Sequence, residues 1–258
     1  MLERLKRLEK NRFLFKMLVK RDFTRKYKRT VLGMAWSVLS PLANLLIMYL
    51  VFSQLFGNNV NHYAIYLFAG QLVFSYFTDA TNMGMSCLVN NAGIYTKVNV
   101  PKYLFLFSQN VSSLINFGLT MAVFFLFVAI EGLPFTWAFL LLLYPTGCLI
   151  VFNTGLGLVL SALQVFFRDI QYLWGIATQL IMWLSAIFYT VDSFPEAQRW
   201  LFQLNPLYVY ISYFRQTVID GAVPDLKTHL LCALYALVSF GLGCYMYKRY
   251  NQEFLYYV

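Results

Sequence analysis

The sequence predicts an all-α integral membrane protein that crosses the bilayer six times, with both ends on the cytoplasmic side. Three observations carry this. Of 258 residues, 60% are apolar and only 12% charged, about half the charged share of an ordinary soluble domain, so lipid must face much of the surface. Six apolar runs reach the roughly 20 residues that a helix needs to span hydrocarbon. The bases are unevenly placed: twelve of the twenty lie before Thr30, and most of the others flank apolar runs. The net charge of +9 is therefore a membrane-topology signal rather than a nucleic-acid surface.

The basic N-terminal segment, residues 1–33, comes first. Leu2, Leu5 and Leu8 recur at three-residue spacing, and Phe15, Val19, Phe23 and Tyr27 at four, with Lys16 interrupting the apolar face. This predicts an interfacial amphipathic helix, with a bare topology signal as the alternative. Arg25, Lys26, Lys28 and Arg29 are expected to hold it on anionic headgroups of the inner leaflet. No secretory signal peptide is read: the first apolar run begins after Arg29 and is too long for one.

The six-helix domain, residues 34–258, follows. Its runs are approximately Met34–Phe56, Ala64–Leu88, Tyr103–Ile130, Phe135–Gln164, Ile170–Thr190 and Leu230–Tyr247. Short turns such as EGLP and FRD make neighbours antiparallel. With an even number of spans, seventeen bases fall on the side of the termini and three, Arg199, Arg215 and Lys227, on the other, which puts both termini in the cytoplasm.

The second run alone carries a charge. Ser75, Asp79, Asn82, Ser86 and Asn90 share one helix face. Such a stripe either lines a watery path or glues helices together. No other span offers an acid or base to complete a proton relay. Aromatics form 19% of the chain. Trp36, Tyr63, Trp137 and Tyr247 are placed for interfacial belts. Tyr49, Phe52 and Phe56 on the first span, with Trp183, Phe188 and Tyr189 on the fifth, sit deeper. They serve either to stack on sugar rings or simply to pack.

Between the fifth and sixth runs, about residues 192–228 are too polar to span and too apolar for a plain loop. Ser193 and Glu196 read as a capping box, Asn205 and Pro206 as a break, and Gly221 as the close of a second short helix. A re-entrant hairpin that gates the outer face is one reading, with Pro195, Trp200, Asn205, Pro206, Tyr208, Phe214 and Arg215 in the gate; an inert interfacial hairpin is the other.

Cys87, Cys148, Cys232 and Cys244 show no metal or disulfide pattern and read as packing residues. Neither a catalytic triad nor an H-E-x-x-H pattern occurs. There is no G-x-x-x-x-G-K-[ST] loop, so the chain does not hydrolyse ATP by that route.

Four stretches in order, KYKRTVLGMAWSVLSPL, NNAGIYTKVNVPKYLFLFS, FFRDIQYL and LNPLYVYISYFRQTVIDG, resemble the membrane-spanning subunits of ABC exporters for polysaccharides and polyol phosphates, the O-antigen, capsule and teichoic-acid exporters of the type-2 permease superfamily. The sequence departs from that pattern at Ala186, where relatives often carry proline after the serine, and at Asp79. The resemblance implies a non-enzymatic permease in the bacterial plasma (inner) membrane that forms a homodimer and binds two copies of a separate ABC ATPase. No cofactor is expected on this chain, with ATP and Mg on the ATPase. A lipid-linked glycan would move outward past Tyr49, Phe52, Phe56, Ser75, Asp79, Asn82, Trp183 and Tyr189. The ATPase would couple at Ile94, Tyr95, Lys97, Pro101, Arg168 and Asp169, and Arg25, Lys26, Lys28 and Arg29 would also meet the lipid head. An ABC permease for a lipid, drug or lipo-oligosaccharide is the alternative, followed by a membrane enzyme that processes glycans.

Overall fold

The computed structural model describes residues 2–28, 30–57, 60–98, 100–250, 253–255 and 257, and these contain helices and no strand. The basic segment forms one helix, α1 (Leu2–Tyr27). The side chains of Leu2, Leu5, Leu8 and Tyr27, like Arg29, lie outside the described residues. The residues that α1 buries are Leu18 and Asp22, each one position before the predicted Val19 and Phe23, with Leu14, Phe15 and Val19 half-buried and Lys16 exposed. The helix is therefore more than a surface anchor. It packs on α5, where Asp22 is 4% exposed and accepts a 2.9 Å hydrogen bond from Ser108 Oγ.

Next come α2 (Trp36–Phe56), α3 (Tyr63–Asn90), a short α4 (Ala92–Tyr95) and α5 (Tyr103–Ile130). A 3₁₀ turn at Trp137–Leu142 leads into α6 (Leu143–Phe166), and α7 covers Ile170–Leu184. The outer segment holds α8 (Glu196–Arg199), a 3₁₀ turn at Trp200–Leu204 and α9 (Pro206–Val218); α10 (Leu226–Tyr250) is the last long helix. Among the described residues, four helical stretches are long and apolar enough to cross a membrane: Gly33–Phe56, Tyr103–Ile130, Trp137–Phe166 and Leu226–Tyr250. The polar stripe of α3 dilutes its apolarity, and α7 is only 15 residues long, about 22 Å against the roughly 30 Å hydrocarbon core.

The fifth apolar run thus stays helical only to Leu184. Beyond it Ala186 turns the chain with φ +49°, a left-handed conformation closed to proline, whose ring fixes φ near −65°. The predicted capping box is also absent. Pro195 precedes α8 without a side-chain cap, and Ser193 instead meets Thr190, Oγ to Oγ1, at 3.4 Å. Asn205 does cap α9: its side chain accepts from Leu207 N at 3.0 Å, and Pro206 fills the first turn, where its missing N–H costs nothing. Gly221 follows α9 with φ +61°.

The helix α3 is central, packed by α2, α5, α6 and α9. Around it Phe68, Phe77, Phe124, Phe152, Tyr210 and Phe214 form the main apolar core. So α9 is a core element rather than an interfacial one. A second core at one end of the bundle joins Leu18, Leu88, Tyr95, Phe105, Val165, Tyr247 and Phe254. Tyr63 and Tyr247 are 5% and 9% exposed and so do not belong to an interfacial belt, whereas Trp36 and Trp137 are exposed.

Helices α6 and α10 meet through glycine. A Cβ built on Gly155 would come within 2.4 Å of the backbone at Ser239 and Phe240, and one on Gly243 within 2.6 Å of Gly155 O. Small residues let membrane helices approach this closely, and the contact energy is van der Waals packing. Gly155→Ala is expected to force α6 and α10 apart and to destabilise the protein by about 1–3 kcal/mol. Thermal unfolding in detergent checks this, and an unchanged midpoint counts against the close approach.

Candidate functional site

Two features stand out in the bundle, a polar cleft and an aromatic girdle. The cleft lies among α1, α2, α3 and α5. Its larger part has a volume of about 640 Å³ and is lined by Ser37, Ser40, Asn44, Gln71, Ser75, Thr78, Asp79, Ser113, Asn116 and Thr120, with Trp36, Phe74 and Phe117 among the aromatics. A smaller part of about 350 Å³ continues past Asp22, Arg25, Met83, Ser86, Asn90 and Gln109. Lys26 and Asp79 line both parts.

These two residues form an ion pair, Nζ to Oδ2 at 2.6 Å, with about a third of each side chain exposed. The carboxylate that the sequence leaves alone in an apolar run is thus answered by the basic segment. Lys26 reaches α3 instead of only headgroups, while Arg25 and Lys28 are exposed. The hydroxyls of Ser75 and Thr78 bond back to carbonyls of their own helix at 3.1 Å, which lets α3 carry them at low cost. Asn82, on the predicted face, is exposed and does not line the cleft.

Half of this cleft escapes a reading that follows single charges. Ser37, Ser40 and Asn44 repeat at three and four on α2, and Ser113, Asn116 and Thr120 do so on α5. The signal was present as small polar residues at helical spacing inside charge-free runs.

The aromatic girdle joins α2, α3 and the turn after α7. Phe52 stacks on Phe188 with ring centroids 4.6 Å apart, and Trp183 lies 5.4 Å from Phe188. Phe56 follows Phe52 at 6.3 Å, and Tyr49 meets Tyr63 at 6.4 Å. Three hydroxyls tie the rings to backbone: Tyr63 OH to Phe188 O at 2.8 Å, Tyr66 OH to Tyr189 O at 2.7 Å and Tyr189 OH to Trp183 O at 2.7 Å. The aromatics singled out from sequence as the deeper set therefore gather, joined by Tyr63, expected in a belt, and by Tyr66, which was not singled out. None of Tyr49, Phe52, Phe56, Trp183 or Tyr189 lines the polar cleft, so the girdle and the α3 polar face are separate features.

Arg215 fixes the turn that carries the girdle. It is 7% exposed. Its guanidinium donates to Tyr66 O at 3.1 and 3.2 Å, to Ala186 O at 2.8 Å and to Ile187 O at 2.9 Å, and it lies over the Tyr66 ring at 3.3 Å. Among the described residues no carboxylate forms a salt bridge with it. Carbonyl dipoles and a ring face carry the charge instead. A Cβ on Gly70 would come within 2.9 Å of Nη2, so α3 has a glycine where the guanidinium passes. Asn205 Nδ2 donates to Ser185 Oγ at 2.9 Å, a second tie between the same turn and α9. Of the other residues expected at a gate, Phe214 is fully buried, Tyr208 and Pro206 are half-buried, and Pro195 and Trp200 are exposed.

At the other end of the bundle, Tyr95 is buried, Ile94 and Pro101 are half-buried, and Lys97, Arg168 and Asp169 are exposed. Tyr95 packs on Phe105 at 6.0 Å. Burial pushes its hydroxyl up to about 12, and burial also lowers the Lys102 ammonium, which lies over the Tyr95 and Phe254 rings at 5.8 and 5.4 Å. Phe166 packs on Phe254 at 5.8 Å. Ile94 and Tyr95 of the first turn and Phe166, just before the second, therefore rest on one apolar cluster.

The described residues thus form a helical bundle with membrane-length helices, a polar cleft and an aromatic girdle. The chain belongs to the ABC-2 type transporter family, whose model matches residues 13–219. It is similar to an O-antigen export system permease protein RfbA of Klebsiella pneumoniae, 26% identical over 82% of this chain and 83% of that one. It is also similar to the RfbA of Myxococcus xanthus, 24% identical over 98% of each chain. The polysialic acid transport protein KpsM of Escherichia coli is 22% identical over 91% of this chain and 92% of its own.

Two substitutions test the geometry. Arg215→Lys cannot reach three carbonyls from a single nitrogen with the same fork, and it is expected to cost about 2–3 kcal/mol; a thermal midpoint equal to the parent's counts against the pin. Lys26→Gln, Asp79→Asn and the double variant form a cycle whose coupling is expected at about 0.2–1 kcal/mol. Strictly additive midpoints show that the two groups do not pair.

Proposed function

We propose that this chain is the permease subunit of an ATP-driven exporter that moves a lipid-linked polysaccharide, of O-antigen, capsule or teichoic-acid type, from the cytoplasm to the outer face of a bacterial plasma membrane. The observation that carries the reading is the aromatic girdle, Tyr49, Phe52, Trp183, Phe188 and Tyr189, in a bundle that also holds a cleft of hydroxyls and amides. A polymer of hydroxyls cannot cross hydrocarbon without a lined path. Ring faces offer many similar weak contacts, so no repeat unit is held fast. The relatives' names, O-antigen export and polysialic acid transport, support the same substrate class.

In this reading α2, α3, α5, α6, α7 and α10 make six crossings, α7 being completed by the turn after it, with α8 and α9 as a re-entrant outer hairpin. Both termini are cytoplasmic, which the seventeen-to-three distribution of bases supports. Two copies face each other across α2 and α7. Support comes from the exposed apolar residues Leu46, Leu50 and Leu55 of α2 and Leu173, Ile176 and Leu180 of α7. Two copies of a separate ATPase, holding ATP and Mg, dock on the 91–101 and 167–169 turns through Ile94, Lys97, Pro101, Arg168 and Asp169, while buried Tyr95 supports the turn from within. Arg25, which lines the cleft, and exposed Lys28 meet headgroups and the phosphate of the lipid carrier.

The test uses single cysteines at positions 49, 52, 183 and 189 in a variant lacking the native cysteines, labelled with a membrane-impermeant thiol reagent. Labelling that falls when polymer synthesis is switched on is the expected result. Residues that react only with a lipid-soluble reagent in both states place the girdle against the bilayer and sink the reading.

A further inference from the structure

A further cavity lies outside the polar cleft and borders the girdle at Tyr66. It lies between the 3₁₀ turn at Val191–Ser193 and helix α9, has a volume of about 410 Å³ and includes Arg215 in its lining. That volume falls within the range of about 300–1,000 Å³ usual for small-molecule sites. Its walls combine two kinds of group. Tyr66, Trp200 and Tyr208 supply rings, and Gln203, Ser212 and Gln216 supply amides and a hydroxyl. Rings that meet the apolar face of a pyranose, beside planar groups that bond its hydroxyls, are what a sugar residue requires.

The charges refine the ligand. Five charged residues line the cavity: Arg199, Arg215, Lys227, Asp192 and Asp220. Asp192 is engaged by Arg199 at 3.3 Å. That leaves two cations, one of them the buried Arg215, against Asp220 alone. A buried guanidinium held by carbonyl dipoles and a ring face gains from an anion brought within a few ångströms, because the low local dielectric strengthens the attraction.

We infer that this cavity binds one carboxylate-bearing sugar residue, with Trp200 and Tyr208 against the ring and Lys227 and Arg215 facing the carboxylate. The inference rests on the exporter reading for the origin of such a residue. The site itself depends only on the cavity, and a sugar held there touches Arg215, the side chain that fixes the turn at Ala186 and Ile187. Arrival of an acidic unit is thereby felt where the girdle is anchored.

The experiment is saturation-transfer difference NMR on the full chain in nanodiscs of phosphatidylcholine, with D-galacturonate, D-galactose and glycerol 3-phosphate as separate probes. Galacturonate is expected to take about threefold more saturation than galactose, the scale of one exposed ion pair. The difference should shrink in the double variant Lys227→Gln with Gln216→Ala, which leaves Arg215 as the one remaining cation on the carboxylate. Trp200→Ala, at a side chain that is 58% exposed and so makes no demand on the core, should lower saturation of both sugars. Equal saturation of the two sugars in the parent overturns the inference. So does a signal unchanged in all variants, which puts the sugar elsewhere, or saturation of glycerol 3-phosphate alone, which marks a headgroup site. None of the residues varied here enters the cysteine-protection test, so the cavity can fail while the exporter reading stands.

Discussion

A guanidinium that meets no carboxylate among the described residues holds the bundle's girdle in place. Taking a charge out of water costs several kcal/mol even after relaxation, and Arg215 meets that cost by gathering three carbonyls and the face of Tyr66. Two of those carbonyls, of Ala186 and Ile187, are accessible because the chain has left the helix at Leu184. The third, of Tyr66, belongs to the central α3. One side chain therefore joins α9, α3 and the turn after α7. Phe188 and Tyr189 take their positions in the girdle from that turn.

The rest of the molecule is arranged around α3. On one side it meets α6, whose glycines in turn allow α10 to come close; on another it presents Gln71, Ser75, Thr78 and Asp79 to the cleft. The same helix is too polar along part of its length to count among the plainly apolar stretches, and that polarity is where the cleft lies. Packing and the polar cleft thus make opposite demands on one helix, which meets them on different faces.

Much of the fold was legible in the sequence because hydrophobic length and turn residues are local signals. The run Tyr103–Ile130 became α5 with the same limits, and Met34–Phe56 and Ala64–Leu88 became α2 and α3 to within a few residues. What was lost depends on contacts distant in sequence. The run Ile170–Thr190 looks continuous, but its last residues give their carbonyls to an arginine 28 and 29 positions away. Asp79 looked unpartnered because Lys26 lies 53 residues before it. Phe214 and Tyr95, read as surface contacts, are buried because their helices pack on sides that periodicity alone does not choose. Tyr63 looked like a belt residue from its place at a span end, Tyr66 carries no distinguishing pattern, and both join the site only through three-dimensional proximity.

The position of the Lys26–Asp79 pair has an electrical consequence. Asp79 lies about eleven residues from the Asn90 end of α3, which is about 16 Å along the helix axis. If α3 crosses the bilayer, that depth is inside the field of the membrane potential, where a unit charge moved across the full drop changes energy by about 2.3 kcal/mol per 100 mV. A closed ion pair is neutral and feels almost no net force from that field. A pair pulled apart along the membrane normal has a dipole that the voltage can stretch or compress. The contact between α1 and α3 would then add no net charge to the field while the pair holds, and would couple to it once the pair opens.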